Sequence, residues 1–222
     1  MPFQQFKYQL KEACSGPLPG EYSHRKMALP KRELPVAPGE APIVRRSSVL
    51  ALIFPEGDEL YTCLIKRPYT MKHHAGQIAL PGGQIDETDT DEIVAALREA
   101  NEEIGVDSNT VEVIGHLSGL YVSISRFSIY PVIGWSDSKP RFSINPDEVE
   151  ELILFPLLQH TNNSLTSETE VDTLSGKLKT PCIIFQEKVI WGATAMILSE
   201  LFDVMNTLPF IRELKSNGRG NA

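Results

Sequence analysis

The sequence has little cysteine and no long apolar run. Its 222 residues include three cysteines, Cys14, Cys63 and Cys182, which lie far apart and form no C-x-x-C pair. This spacing argues against a structural zinc site and against a disulfide framework, and it fits a reducing compartment. No apolar stretch approaches the roughly 18 residues that span a bilayer, and no signal-peptide core follows the first residues. We therefore expect a soluble, cytoplasmic protein without a membrane partner.

The sequence also has no excess of positive charge. It carries 21 Lys and Arg against 29 Asp and Glu, which gives a formal net charge of −8. That balance argues against nonspecific binding to nucleic acid or to an anionic membrane. A polyanionic substrate would then have to be held by local cations and a metal ion. The 41% hydrophobic and 23% charged content is that of an ordinary globular domain.

Three glutamates crowd one face at the end of a predicted helix. Glu99, Glu102 and Glu103 stand at i, i+3 and i+4, and like charges at these spacings cost about 0.2–0.5 kcal/mol per pair. The negative end of the helix dipole adds to the penalty, which Arg98 relieves only in part. Hard carboxylate oxygens suit Mg²⁺ or Mn²⁺, so the pattern indicates a metal site. The alternative is a solvated acidic helix end.

Glycines on both sides of this helix favour the metal site over the solvated end. Gly82 and Gly83 form a turn in front of the helix, and Gly105 stops it as a left-handed cap. The helix is predicted over residues 90–104, with Asp89 and Glu92 as a capping pair. Its predicted buried stripe, which leaves the three glutamates directed elsewhere, is Ile93, Leu97, Ala100 and Ile104.

The rest of the chain alternates strand-like and helical patterns. Strands are predicted over 47–54, 60–66, 78–80, 111–117 and 121–135, and a hairpin over 182–185 and 188–190. Helices are predicted over 2–14 and 194–208, an acidic turn over 146–151, a short helix or strand end over 152–159, and loops over 15–40 and 161–179. This order predicts an α+β fold, an α/β/α sandwich with a mixed sheet between helices on both faces.

Three segments are predicted along the chain. Residues 1–41 form an N-terminal helix and an irregular arm, residues 42–210 the compact domain, and residues 211–222 a flexible tail. The arm is a candidate surface for packing against a second subunit, so a homodimer is one expectation.

Residues 82–106 resemble the Nudix box, G-x5-E-x7-R-E-U-x-E-E-x-G-U, where U is an aliphatic residue. The matching positions are Gly83, Arg98, Glu99, Ala100, Glu102, Glu103, Gly105 and Val106. The sequence departs from the box in two ways. Asp89 replaces the first Glu, and Arg98 stands nine residues after Asp89, where the box has eight. For this reason Asp89 is not assigned as a metal ligand.

Residues 63–83 resemble the second signature of the coenzyme A pyrophosphatase branch of the Nudix family, L-L-T-x-R-S-x3-R-x3-G-x3-F-P-G-G. Matching residues are Arg67, Gly76, Pro81, Gly82 and Gly83, while Lys72 replaces the second Arg, Pro68 the Ser and Leu80 the Phe. The likeness extends over roughly residues 45–205. It implies hydrolysis of coenzyme A to 3′,5′-ADP and 4′-phosphopantetheine with Mg²⁺ or Mn²⁺.

The two resemblances imply roles for individual residues. Glu99, Glu102 and Glu103 would bind the metal, with Glu102 or Glu103 acting on the attacking water and Arg98 orienting the acidic cluster. From the turn at 146–151, Glu148 would be a further metal ligand or the general base, in competition with its acidic neighbours. The substrate would be held by Arg67, Lys72, Gly82 and Gly83.

Two other functions stay open at this point. The box fixes pyrophosphate chemistry but not the flanking group, so NADH, ADP-ribose or an oxidised nucleotide is an alternative substrate. A non-catalytic nucleotide-binding regulator is a third reading, which the presence of all three glutamates disfavours.

Overall fold

The computed structural model describes residues 3–28, 44–70, 74–123, 125–161, 167–173 and 176–218. In these residues the helices are α1 Gln4–Cys14, α2 Glu21–His24, α3 Glu92–Ile104, α4 Leu158–Thr161, α5 Gly192–Thr207 and α6 Pro209–Gly218. The strands are β1 Arg45–Glu56, β2 Glu59–Lys66, β3 Ile78–Ala79, β4 Gly82–Gln84, β5 Glu112–His116, β6 Leu120–Val122, β7 Phe127–Trp135, β8 Glu151–Pro156, β9 Ser167–Thr173, β10 Gly176–Phe185 and β11 Lys188–Trp191.

The main sheet is mixed, and β1 lies at its centre. The order is β3-β2-β1-β7-β5, with β4 paired to β1, β6 to β7 and β8 to β2. The β1–β7 pair is parallel, whereas β1 pairs antiparallel with β2 and β4. A separate sheet has the order β11-β10-β9.

Apolar side chains on the two faces of β1 belong to different halves of the core. Leu50, Leu52 and Phe54 pack with the inner face of α3, while Ala51 and Ile53 join the cluster that includes residues of α1, α5 and α6. Because successive strand residues point to opposite faces, one strand supplies both layers. The predicted α+β sandwich with helices on both faces of a mixed sheet is confirmed.

The helix α3 begins two residues later than predicted and has a different cap. The side chain of Asp91, not Asp89, accepts the backbone N–H of Val94 at 2.9 Å, and this bond satisfies one of the free N–H groups of the first turn. At the other end the prediction was right, because Gly105 has a φ of +69° and closes the helix as a left-handed cap.

The predicted stripe of α3 is partly wrong. Ala100 and Ile104 are fully buried as expected, but Ile93 and Leu97 are only partly buried. Glu103, which was expected to point away from the buried face, is 3% exposed. The small side chains of this helix let it approach the sheet closely, and that approach takes Glu103 into the interior.

The N-terminal segment contains more structure than predicted. The helix α1 was predicted, and its Phe6 and Leu10 are fully buried in the same cluster as residues of α5. The helix α2 lies where an irregular arm was predicted, while residues 29–43 of that arm are outside the described part of the chain. At the other end α6 extends into the predicted tail and buries Ile211. The division into domains stays a prediction.

The predicted loop over 161–179 is wrong. Most of its described part belongs to β9 and β10, which pair antiparallel from Gly176 opposite Thr173 to Cys182 opposite Ser167. Polar side chains on a pair of strands outside the main sheet give no apolar alternation, which is why the pattern indicated a loop. The hairpin over 182–185 and 188–190 is present as β10 and β11. In the described residues, none of the helices combines the length and the apolar character that crossing a membrane requires.

Candidate active site

Arg98 of α3 is at the centre of a hydrogen-bond network that joins the helix to the loop before it. Its Nε and Nη2 donate to the two carboxylate oxygens of Asp89 at 3.0 and 2.8 Å. Nη2 also donates to the backbone oxygen of Gln84 at 3.2 Å, and Nη1 donates to Glu99 at 2.9 Å and to Glu102 at 3.0 Å. The orienting role of Arg98 stays a prediction, and its bonds to Asp89 were not predicted.

Glu103 is a buried carboxylate in contact with the first residue of β4, where the sequence predicted a turn. Its Oε2 accepts the backbone N–H of Gly82 at 2.9 Å, and its Oε1 lies 3.7 Å from Nη1 of Arg67. Burial raises the pKa of Glu103 to about 8, against the opposing effects of the Gly82 N–H and of Arg67. A nearby positive charge would stabilise the ionised form of this group.

Glu99 is packed directly on Gly83, the second residue of β4. A Cβ atom on residue 83 would stand 2.4 Å from the carboxyl carbon of Glu99, so only Gly83 leaves room for this side chain. Burial raises the pKa of Glu99, and Glu102 and Glu148 raise it further while Arg98 lowers it. The side chain of Glu102 is 49% exposed and lies at the rim of the cluster.

The acidic turn at 146–151 brings one of its four carboxylates to the glutamates of α3. Glu148 is half-buried, and its charge raises the pKa of both Glu99 and Glu103. Its acidic competitors point elsewhere, because Glu150 and Glu151 pair with lysines of β2 and β11 at 2.7 and 3.0 Å, and Asp147 is exposed. Glu148 is therefore the member of this turn that faces the candidate site.

Arg67 reaches the site from the end of β2. Its backbone N–H donates to Gln77 and its carbonyl accepts from Gly76, both at 3.0 Å, so the base of the predicted substrate loop is closed. The Nε of Arg67 is buried and has no hydrogen-bond partner among the described residues. Such a group is suited to an anionic ligand. Lys72, the second predicted cation of this loop, lies outside the described residues.

The carboxylates have the oxygen atoms that a divalent cation prefers, but their side chains are not positioned as a ligand set. Glu99, Glu103 and Glu148 are hard oxygen donors of the kind that a divalent cation prefers. The charge of Glu148 raises the pKa of Glu99 and of Glu103, and Glu99 also raises the pKa of Glu103. Within the described parts of the chain, however, no three Asp, Glu, His or Cys side chains form a complete ligand set. Hydrogen bonds from Arg98 occupy one oxygen of Glu99 and one of Glu102 and leave the other oxygen of each for a ligand. Glu103 accepts from Gly82 with one oxygen, and its other oxygen faces Arg67.

Comparisons with known proteins agree on one family. A family profile described as "NUDIX domain" matches residues 44–173. The chain is 36% identical over 138 residues to "Uncharacterized Nudix hydrolase NudL" of Pectobacterium atrosepticum, and the alignment covers 62% of this chain and 71% of that protein. It is 32% identical over 173 residues to "Nudix hydrolase 22, chloroplastic" of Arabidopsis thaliana, with 74% of this chain and 57% of that protein covered.

A solved structure shares the fold at low identity. The MutT/nudix family protein from Enterococcus faecalis superposes with a TM-score of 0.50 and 18% identity, over 79% of this chain and 66% of that one. At this identity the likeness concerns the fold alone.

Proposed function

We propose, from the premise that this chain belongs to the Nudix hydrolase family and is a pyrophosphohydrolase, that it cleaves the pyrophosphate linkage of coenzyme A or its acyl thioesters. The products would be 3′,5′-ADP and 4′-phosphopantetheine, free or acylated. The observation that carries the proposal is the 3.7 Å approach of Arg67 to Glu103. It brings the coenzyme A-type signature and the Nudix box to one place.

The residues of the site have separate tasks in this reaction. Glu99, Glu102 and Glu103 would hold Mg²⁺ or Mn²⁺, since Nudix hydrolases use divalent metal ions. Such a cation, when bound, neutralises phosphate charge and lowers the pKa of a bound water. Arg67 would bind a phosphate oxygen through the guanidinium that has a buried, unpartnered Nε, and Gly82 and Gly83 would let the diphosphate come close to the backbone.

Glu148 is the candidate general base. A carboxylate within reach of the other acidic groups can take the proton from the attacking water as the new P–O bond forms. The P–O bond to the bridging oxygen then breaks, and the second phosphate leaves with the electron pair. The site thus has to position the water and neutralise charge, which are the main requirements of phosphoryl transfer.

A substrate panel tests the proposal. Purified protein with Mg²⁺ or Mn²⁺ is given coenzyme A, acetyl-coenzyme A, NADH and ADP-ribose, and kcat/KM is compared after chromatographic separation of the products. We expect coenzyme A or its thioester to have the highest value, with 3′,5′-ADP as a product and no turnover in EDTA. Intact coenzyme A beside cleaved NADH or ADP-ribose would refute the proposed specificity.

The catalytic role of the α3 glutamates needs its own variant. Glu102→Gln removes an exposed carboxylate of the cluster without disturbing the core. Equal metal-dependent rates for the variant and the wild type would remove Glu102 from the mechanism, and a rate indistinguishable from background in both would favour a binding protein without turnover.

A further inference from the structure

The edge of the main sheet where β1 and β7 begin carries two arginines without acidic partners. Arg45 is the first residue of β1, and Arg126 directly precedes β7. Both are exposed, and the backbone N–H of Arg45 donates to the carbonyl of Arg126 at 3.0 Å, so the two residues lie side by side. Among the described residues, neither forms an ion pair with a carboxylate. In a protein whose formal net charge is −8, two such cations together attract an anion.

The guanidinium of Arg45 is held in one orientation and keeps most of its donors for a ligand. Its Cζ lies 4.2 Å from the centroid of the Phe127 ring, and its Nη2 donates to the carbonyl of Ser125 at 2.9 Å. An arginine has five N–H donors in one plane, and stacking on a ring uses only the face of that plane. The remaining donors can bind a phosphate with two parallel hydrogen bonds. Because the side chain is already ordered, little entropy is lost when a ligand binds.

Arg126 has a backbone conformation that an arginine seldom adopts. Its φ is +56°, in the left-handed region where glycine, asparagine and aspartate are favoured. Such a conformation costs free energy in other residues, and residues of this kind are concentrated at ligand sites. No ion pair of the Arg126 side chain with a described residue offsets this cost. The conformation therefore gives a second reason to look for a ligand at this edge.

The two arginines lie at the end of a strip that begins at the glycines of β4. In the β1–β4 pair, Val49 is opposite Gly82 and Ser47 is opposite Gln84. Arg45 continues the same face, because every second residue of a strand points the same way. This face is the one opposite α3, since Val49 packs against the cluster that includes residues of α1 and α5. At about 3.3 Å per residue, Val49 to Arg45 spans roughly 13 Å, the length scale of one nucleotide.

We propose that Arg45 and Arg126 form a second anion subsite, which binds the 3′-phosphate of the substrate while the diphosphate lies at Gly82 and the carboxylates of α3. In coenzyme A a ribose separates the diphosphate from this phosphomonoester. NADH and ADP-ribose have the same ribose without the 3′-phosphate, so the subsite selects coenzyme A over both. The inference rests on the proposed function, which supplies the 3′-phosphate, and it names the residues that determine specificity.

The first experiment compares coenzyme A with dephospho-coenzyme A, which lacks only the 3′-phosphate. We expect the wild type to have a kcat/KM about 10–100-fold higher for coenzyme A, the scale of a hydrogen bond to a charged group. Arg45→Gln and Arg126→Asn should lose most of this preference through a higher KM for coenzyme A, with kcat and the kinetics of dephospho-coenzyme A unchanged. Arg45→Lys, which keeps the charge but loses the fork, should recover part of the preference.

A control variant and Tm separate a subsite from a structural role. Arg212 of α6 is likewise exposed, so Arg212→Gln removes the same charge and should keep the wild-type preference. Asparagine tolerates a positive φ, so Arg126→Asn should have a Tm equal to or above that of the wild type. It carries the test if Arg45→Gln fails to fold. A lower Tm with unchanged preference in Arg126→Asn, or an equal loss of preference in Arg212→Gln, would overturn the proposal.

A binding experiment separates this inference from the proposed function. Calorimetric titration of the metal-free protein with 3′,5′-ADP and with 5′-AMP involves no turnover. We expect tighter binding of 3′,5′-ADP to the wild type and to Arg212→Gln, and equal binding of the two nucleotides to Arg45→Gln and Arg126→Asn. This result supports the subsite even if coenzyme A is not hydrolysed. Hydrolysis of coenzyme A by a wild type that binds both nucleotides equally would refute the subsite and leave the proposed function standing.

Discussion

The backbone N–H of Asn145 donates a hydrogen bond of 2.9 Å to the carbonyl oxygen of Glu103, at the end of α3. Ser143 makes an equivalent bond of 2.9 Å to Ile104. The last carbonyls of a helix have no partner within it, and here the segment that follows β7 supplies one. The turn that carries Glu148 is thereby fixed to the helix that carries Glu103.

This attachment leads to a prediction for Glu148. We expect Glu148→Gln to lower kcat by about 10²–10⁴-fold, the usual contribution of a general base, with little change in Tm because the backbone bonds of the turn remain. The matched control is Asp147→Asn, an exposed neighbour in the same turn, which should keep wild-type kinetics. Similar losses in both variants would show that the turn, and not the Glu148 carboxylate, matters.

Gly82 and Gly83 should respond differently to alanine. The three atoms nearest to a Cβ on residue 83 all belong to the Glu99 carboxyl group, at 2.4–2.5 Å, and this flexible side chain can shift, so Gly83→Ala should fold and lose metal-dependent activity. A Cβ on residue 82 stands 2.3 Å from the backbone oxygen of Ser48, and the φ there is +153°. Gly82→Ala should therefore unfold more easily, by at least the 1–3 kcal/mol or so of a strained backbone. Chemical denaturation and a hydrolysis assay on both variants check this contrast.

Glu103→Gln should separate stability from activity. Its carboxylate is 3% exposed, and burial is the main cause that raises its pKa, so a neutral isostere avoids the cost of burying a charge. We expect a metal-free Tm equal to or above that of the wild type, no rise of Tm on adding Mn²⁺, and loss of activity. A variant that Mn²⁺ still stabilises as strongly as the wild type would contradict a ligand role for Glu103.

We expect the ionised carboxylate of Glu200 in α5 to stabilise the fold, and this contribution to be lost in acid. Glu200 is fully buried, and its oxygens accept the N–H of Gly20 at 3.0 Å and of Ser118 at 3.2 Å and lie 2.9 Å from Nε2 of His24. Burial acts to raise the pKa of Glu200, but its hydrogen bonds with His24, Ser118 and Gly20 outweigh burial and lower the pKa. Its contribution is thus complete above the unfolded pKa of about 4.3 and is lost as the pH falls through the lower folded pKa.

The check is the free energy of unfolding of wild type and Glu200→Gln between pH 7 and pH 3. At pH 7 the variant should be less stable by about 3 kcal/mol, the scale for breaking a buried pair. The difference should begin to shrink near pH 4.3, where Glu200 of the unfolded wild type takes up its proton, and it should go on shrinking as the pH falls through the lower folded pKa. A difference that stays constant over this range would mean that Glu200 keeps the same pKa on folding.

The sequence predicted the site helix well because glycines flank it and an unusual run of carboxylates lies in its last turn. The helix and its Gly105 cap follow from local chemistry and are present, whereas the predicted turn at Gly82 and Gly83 is wrong, because both residues belong to β4. The partners of the loop residues could not be predicted in the same way. Asp89 and Asp91 have the same side chain, and only the path of the loop decides which caps α3 and which binds Arg98.

Tertiary packing decides how deeply the Glu103 side chain is buried and which carboxylate of the turn at 146–151 faces the site. Periodicity counted Leu97 as inward and Glu103 as outward, but the close approach of α3 to β1 and β4 rotates the buried face toward Glu103. Glu148 was one of four acidic candidates in its turn. Lysines on β2 and β11, which lie far away in sequence, engage two of them, so no local pattern could have made the selection.

The parallel pairing of β1 with β7 has a consequence for synthesis on the ribosome. Arg45 of β1 pairs with Phe127 and Ile53 with Trp135, and α3 lies in the chain between these strands. A nascent chain halted before residue 127 would expose the acidic helix beside a half-built sheet, open to proteases. Because the turn that carries Glu148 follows β7, translation past Glu148 is the earliest moment at which this carboxylate can join those of α3.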